Sequence, residues 1–135
     1  DHIRIAWVSQ HLGALYGDLG VFIKAKELLE RSLLTYERHY GKEHFYIAYV
    51  LSELGNVYLL DGMLERAEHS LQKALEIFQT GKPSECYTCL EFLSDLYLKK
   101  ASLSLKESKL EQSRNFKTQA LSYLKQALRV VETHF

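Results

Sequence analysis

The sequence predicts an all-α fold, an α-solenoid of about three antiparallel helical hairpins with elongated helices in the third. Three observations predict it. A 42-residue segment recurs, apolar residues return at helical spacing, and glycines fall where one helix must hand over to the next. The segment His2-Ile3-Arg4-Ile5-Ala6-Trp7-Val8 returns as His44-Phe45-Tyr46-Ile47-Ala48-Tyr49-Val50. At the same offset Leu12-Gly13 meets Leu54-Gly55, Tyr16 meets Tyr58, and Gly20 meets Gly62. Ala25, Leu29 and Leu33 then meet Ala67, Leu71 and Leu75, which brings the register to eleven identities.

Each unit is read as two helices. In the second, Val50, Leu54, Val57, Tyr58 and Leu60 form one apolar stripe, and Leu64, Ala67, Leu71, Ala74, Leu75 and Phe78 form another. Asp61-Gly62 lies between them as a turn signal, and Gly20 holds the same place in the first unit. Gly13 and Gly55 are expected where two helices cross closely, opposite Ala25 and Ala67; a larger side chain there would overpack the crossing at roughly 1–3 kcal/mol. His2 and His44 hold equivalent places, which suggests a shared role in starting each hairpin. The units span residues 1–41, 43–80 and 83–135 of one domain.

The third unit is altered. Pro83 suits the first turn of a new helix. Leu93-Ser94-Asp95-Leu96-Tyr97 resembles Leu54-Gly55-Asn56-Val57-Tyr58, and Ala120, Leu124, Ala127, Leu128 and Val131 repeat the pattern of the helix that follows. Gly55 and Ala67 are 12 residues apart, whereas Ser94 and Ala120 are 26 apart. That surplus is about two turns on each of two helices at roughly 3.6 residues per turn. Lys99 to Gln119 therefore reads as a projecting hairpin turning near Ser108–Ser113, with a loose loop as the competing reading. The stretch has six basic and two acidic residues, which leaves the rest of the chain net acidic. Such a run either contacts an acidic partner or a membrane surface, or simply keeps an extended helix solvated.

The pattern Leu54-Gly55-x-x-Tyr58, Gly62, Ala67, Leu71, Ala74, with Trp7 and Tyr49 upstream, resembles the tetratricopeptide repeat. The 42-residue period and the turn Tyr40-Gly41-Lys42-Glu43-His44 are similar to the longer repeats of kinesin light chains. Two positions depart from the pattern: Phe45 where proline is usual, and Ser32 where alanine is usual. The resemblance implies a non-catalytic module that binds a protein or peptide along the concave face, formed by the first helix of each hairpin. Carried across position by position, that groove presents Trp7, Gln10 and Asp18 with Ala14 and Gly17, then Tyr49, Ser52 and Asn56 with Leu59 and Leu60. The third unit adds Glu91 and Asp95 with Thr88, Leu98 and Lys99. Trp7 and Tyr49 have a second reading, as wedges between hairpins. Asn56 is the leading contact, because its amide both donates to and accepts from an extended backbone. Repeats that clamp acidic chaperone tails use lysine, asparagine and arginine at these positions; only Asn56 fits, so a basic or neutral segment is expected instead.

Composition narrows the rest. Basic and acidic residues balance at 17 each, which provides no general attraction to nucleic acid. No apolar run reaches the roughly 20 residues of a membrane-spanning helix, so no membrane insertion is expected. Two cysteines without a dense framework fit a reducing, cytoplasmic setting. Cys86-Tyr87-Thr88-Cys89 has the spacing of redox motifs but lacks the βαβ setting, and it reads as two small buried residues. The six histidines form no metal-ligand pattern, and no phosphate loop or nucleophile elbow occurs, so no cofactor is expected. The chain begins inside a repeat's turn, and its first unit lacks the polar outer face of a terminal capping repeat. This implies a fragment of a longer array or self-association through terminal helices, and leaves a purely structural role as the rival to partner binding.

Overall fold

The computed structural model describes residues 1–135. Six α-helices follow one another without a strand: α1 (His2–Asp18), α2 (Phe22–Tyr40), α3 (Phe45–Leu60), α4 (Leu64–Gly81), α5 (Tyr87–Lys106) and α6 (Leu110–His134), with a 3₁₀ turn at Pro83–Glu85 before α5. Each consecutive pair forms a hairpin. α3 packs on both α1 and α5 as well as on its own partner, so the three first helices lie side by side.

All three hairpins turn in the same way. Gly62 donates its N–H to the Leu59 carbonyl at 3.1 Å, and Met63 donates to Tyr58 at 2.8 Å. The equivalent pairs at the first turn are Gly20 to Gly17 and Val21 to Tyr16; at the third they are Ser108 to Leu105 and Lys109 to Ser104. This crossed pair of bonds satisfies helix-terminal carbonyls and requires one left-handed residue. Gly20 and Gly62 take φ of 81° and 80°, and Ser108 takes 61°. The third turn thus falls at the near edge of the expected range. Ser94 lies 14 residues before its turn residue, Gly55 only 7. The 14-residue surplus divides into 7 on each helix, and Lys99 to Gln119 is helical on both sides of Ser108.

The close crossings also exist. A Cβ added at Gly55 would stand 2.5 Å from Leu71 Cγ, and one at Gly13 would stand 2.9 Å from Leu29 Cγ. The side chain nearest each glycine is thus a leucine and not the alanine expected there: Ala25 would meet the Cβ at Gly13 through its backbone carbonyl at 3.2 Å, and both Ala25 and Ala67 are fully buried. Ser32 is buried too, and its hydroxyl donates to the Ala6 carbonyl at 2.7 Å, which accounts for a polar residue at a position that otherwise carries alanine. Phe45 opens α3 with its ring stacked on His44, and Lys82 Nζ lies 4.9 Å from that ring. His44 caps α3, since its Nδ1 accepts the Tyr46 N–H at 3.1 Å. His2 does not share that role: it is the first residue of α1, and Asp1 is the cap, accepting from Arg4 N at 2.8 Å.

Successive hairpins are joined by one core and by charge pairs at equivalent positions. Ala25, Leu29, Ile47, Val50, Leu71, Phe78, Leu90 and Leu93 belong to a single buried cluster. Lys26 of α2 reaches Asp61 at 2.6 Å, and Glu68 of α4, 42 residues on, reaches Lys100 at 2.7 Å with the charges reversed. Partly exposed pairs of this kind contribute about 0–1 kcal/mol each, so they orient the stack more than they stabilise it.

Candidate partner-binding groove

The first helices enclose a cavity of about 340 Å³. α3 supplies its floor with Tyr49, Ser52, Glu53, Asn56 and Val57, a set spaced to occupy one face of a helix. Ala14 and Asp18 of α1 form one wall; Glu85, Tyr87, Thr88 and Phe92 form the other, with Phe78 of α4 beneath. Asn56 also lines a shallower neighbouring hollow with Leu59, Leu60, Asp95 and Lys99.

Of the residues the sequence nominated, the cavity brings together Asp18, Tyr49, Ser52 and Asn56, with Ala14 and Thr88. Asp95 stands next door. Glu91 is exposed on α5 and lines neither hollow. Gln10 is buried and engaged within the fold: Tyr36 donates its hydroxyl to Gln10 Oε1 at 3.1 Å, and Gln10 Nε2 donates to Glu53 Oε1 at 3.4 Å. Trp7 is 56% exposed, away from the cavity, with its ring over His11 at 4.0 Å. Tyr49 lines the cavity and packs edge-on against Phe78 at 5.1 Å, and that ring belongs to its own hairpin rather than to a neighbouring one.

Glu53, Phe78, Glu85, Tyr87 and Phe92 were not foreseen. Glu53 was within reach of sequence reasoning, because it lies one residue from Ser52 and three from Asn56 on the same stripe. Glu85 and Tyr87 were not, since only the path of the 3₁₀ turn swings them over the groove.

The electrostatics are one-sided. Every charged residue lining the cavity is a carboxylate: Asp18, Glu53 and Glu85. Glu53 Oε2 is closed off from solvent and has no hydrogen-bond partner, and the Ser52 hydroxyl beside it is in the same condition. Burial pushes the Glu53 carboxyl up to about 7; the Gln10 amide opposes this, while Asp18 adds to it. Burial, with the neighbouring Glu85, likewise pushes the Tyr49 hydroxyl up to about 12.

The cysteine pair points away from redox chemistry. Both thiols are buried and unpaired, and Cys89 donates to the Leu71 carbonyl at 3.2 Å. Burial raises the Cys86 thiol and pushes that of Cys89 up to about 12, which suppresses the reactive thiolate. No three His, Cys, Asp or Glu side chains cluster closely enough to share a metal ion. No helix is long and apolar enough to cross a membrane.

Stacked hairpins with glycine–leucine crossings, left-handed turns and side-by-side first helices define a helical repeat protein. The family model for the tetratricopeptide repeat matches residues 3–80, more than half of the chain. The chain belongs to the tetratricopeptide repeat family, whose members point to protein–protein interaction. No curated protein matches it.

Proposed function

We propose that this protein is a non-catalytic binding module that takes an extended segment of a partner protein into the groove of α1, α3 and α5. The observation that carries the reading is the cavity floored by the α3 stripe. Half of its lining is apolar or aromatic, and its only charges are negative. A basic or neutral segment suits such a surface; an acidic chain end meets three carboxylates and no cation. Tyr49, Ser52 and Asn56 make the central contacts, Asp18 and Asp95 flank them, and Trp7, Gln10 and Glu91 act at the margins or through the groove's support. The three units, 1–41, 43–80 and 83–135, act as one domain, and the setting is that of a cytoplasmic adaptor of the kinesin light chain type.

Selection from a random peptide library, followed by titration of the hits against Asn56→Ala and Tyr49→Ala, tests this reading. Each substitution should weaken binding about tenfold. Hits that bind both variants as tightly as the native protein would remove the groove as the site.

One observation favours a structural role as a second reading. Ile5, Val8, Leu12 and Leu15 of α1 are 42–60% exposed, while their equivalents Ile47, Val50, Leu54 and Val57 are at most 3% exposed under the preceding hairpin. The α1 face is therefore shaped to receive another helical hairpin, including one from a second copy. Light scattering across a concentration series separates the two: a constant monomer mass counts against self-association.

A further inference from the structure

We infer that Glu53 is the base of a socket for a single cationic side chain, lysine or arginine, of the bound segment. This rests on the groove being the binding site and specifies what the groove reads there. Four features build the socket. Glu53 lies on the cavity floor, and its only hydrogen bond, from Gln10, is long at 3.4 Å. Its Oε2 has no partner at all, and the adjacent Ser52, 5% exposed, carries a second unpartnered oxygen on the same floor. Asp18 and Glu85 stand on opposite walls, so a cation entering from either side passes a carboxylate. Tyr49, Tyr87 and Phe92 line the path with rings able to flank an alkyl stem or face the cation itself.

The chemistry asks for this ligand. A buried carboxylate with one unmet oxygen is costly, and the cost is relieved either by a proton or by a cation. An ammonium or guanidinium supplies both charge and donors, and the broad terminal torsion of a glutamate lets either oxygen turn to meet it. The neutral Ser52 hydroxyl can accept from the same donor. No other group in the cavity competes, because lysine, arginine and histidine are absent from its lining.

Proton and cation then exclude one another at Glu53. The groups facing it are Asp18 of α1, Tyr36 of α2, Tyr49 of its own helix, and Glu85 and Tyr87 of the third unit. With a carboxyl poised at about 7 in the free groove, binding of the cation should tighten as pH rises and level off above neutrality. Between pH 7.5 and 5.5 the ionised fraction falls about 25-fold, and affinity should fall about as much.

A positional-scanning peptide library bound to the native protein and to Glu53→Gln is the test. The native protein should select lysine or arginine at one position. Glu53→Gln should lose that preference, weakening those peptides tenfold or more. Versions carrying norleucine or citrulline at that position should bind the variant and the native protein alike. The separate lysine and arginine arms decide which side chain fits. Glu53→Gln is isosteric, and its circular dichroism spectrum reports folding independently. If Asn56→Ala weakens the peptides but Glu53→Gln leaves the cationic preference and its pH profile unchanged, the socket is wrong while the groove reading stands. If neither substitution affects any peptide, both are wrong.

Discussion

Replacing Gly55 by alanine should destabilise the protein by about 1–2 kcal/mol, although alanine is the better helix former. The added Cβ would meet Leu71 Cγ at 2.5 Å and Cδ2 at 2.6 Å, inside any real contact distance. Leu71 is fully buried in the central core cluster, so it has nowhere to swing. Overpacking of this kind costs about 1–3 kcal/mol; with Leu71 held in place the upper part of that range applies, about 2–3 kcal/mol, and the gain in helix propensity returns about 1 kcal/mol. A double-mutant cycle isolates the clash. Leu71→Ala alone should cost about 2–5 kcal/mol by opening a cavity. In that background Gly55→Ala should become neutral or stabilising, because the cavity receives the methyl group. Urea unfolding followed by circular dichroism, with unchanged slopes, provides the four free energies. A Gly55→Ala variant as stable as the native protein, or single effects that simply add, would refute the close crossing as the reason for glycine.

Two further predictions concern Glu53 and the third turn. The Glu53 carboxyl is raised to about 7 in the folded state against an ordinary value of 4.5. Its contribution is therefore fully present below pH 4.5 and is lost as pH rises through 7. Glu53→Gln should gain stability relative to the native protein over that window by at most about 3 kcal/mol; unfolding free energies at pH 5 and pH 8 check this, and a pH-independent difference would contradict it. Ser108→Gly should raise stability by about 0.5–1 kcal/mol, because a serine held at φ of 61° carries a strain that glycine does not. The urea midpoint reads that gain, and a fall in the midpoint would mean that the hydroxyl has a compensating role.

The hairpins were legible from the chain because their determinants are local. Helical spacing, a left-handed glycine and a small residue at a crossing all act within one repeat, and Gly13, Gly20, Gly55 and Gly62 mark them directly. Ser108 was harder to see. It fills a glycine's place without being one, so the turn emerged only as a range. Half of the groove was legible for the same local reason: Tyr49, Ser52 and Asn56 share one face of α3. Gln10 shows the limit. Its register position points to the groove, yet Tyr36 on the neighbouring helix claims its amide, and no spacing rule records that hydrogen bond.

From its own pattern, the sequence determined an all-α repeat with two regular units and a third lengthened by two turns on each helix. Periodicity and turn chemistry are properties of short segments, so they are written in order along the chain. Tertiary structure alone decided the character of the groove. Stacking brings Asp18, Glu53 and Glu85 from three units around one cavity and leaves Glu53 Oε2 without a partner. It also turns Glu91 outward and leaves the α1 face open where the same face of α3 is covered. Burial and charge proximity depend on which segments meet in space, and that is settled only when the hairpins pack.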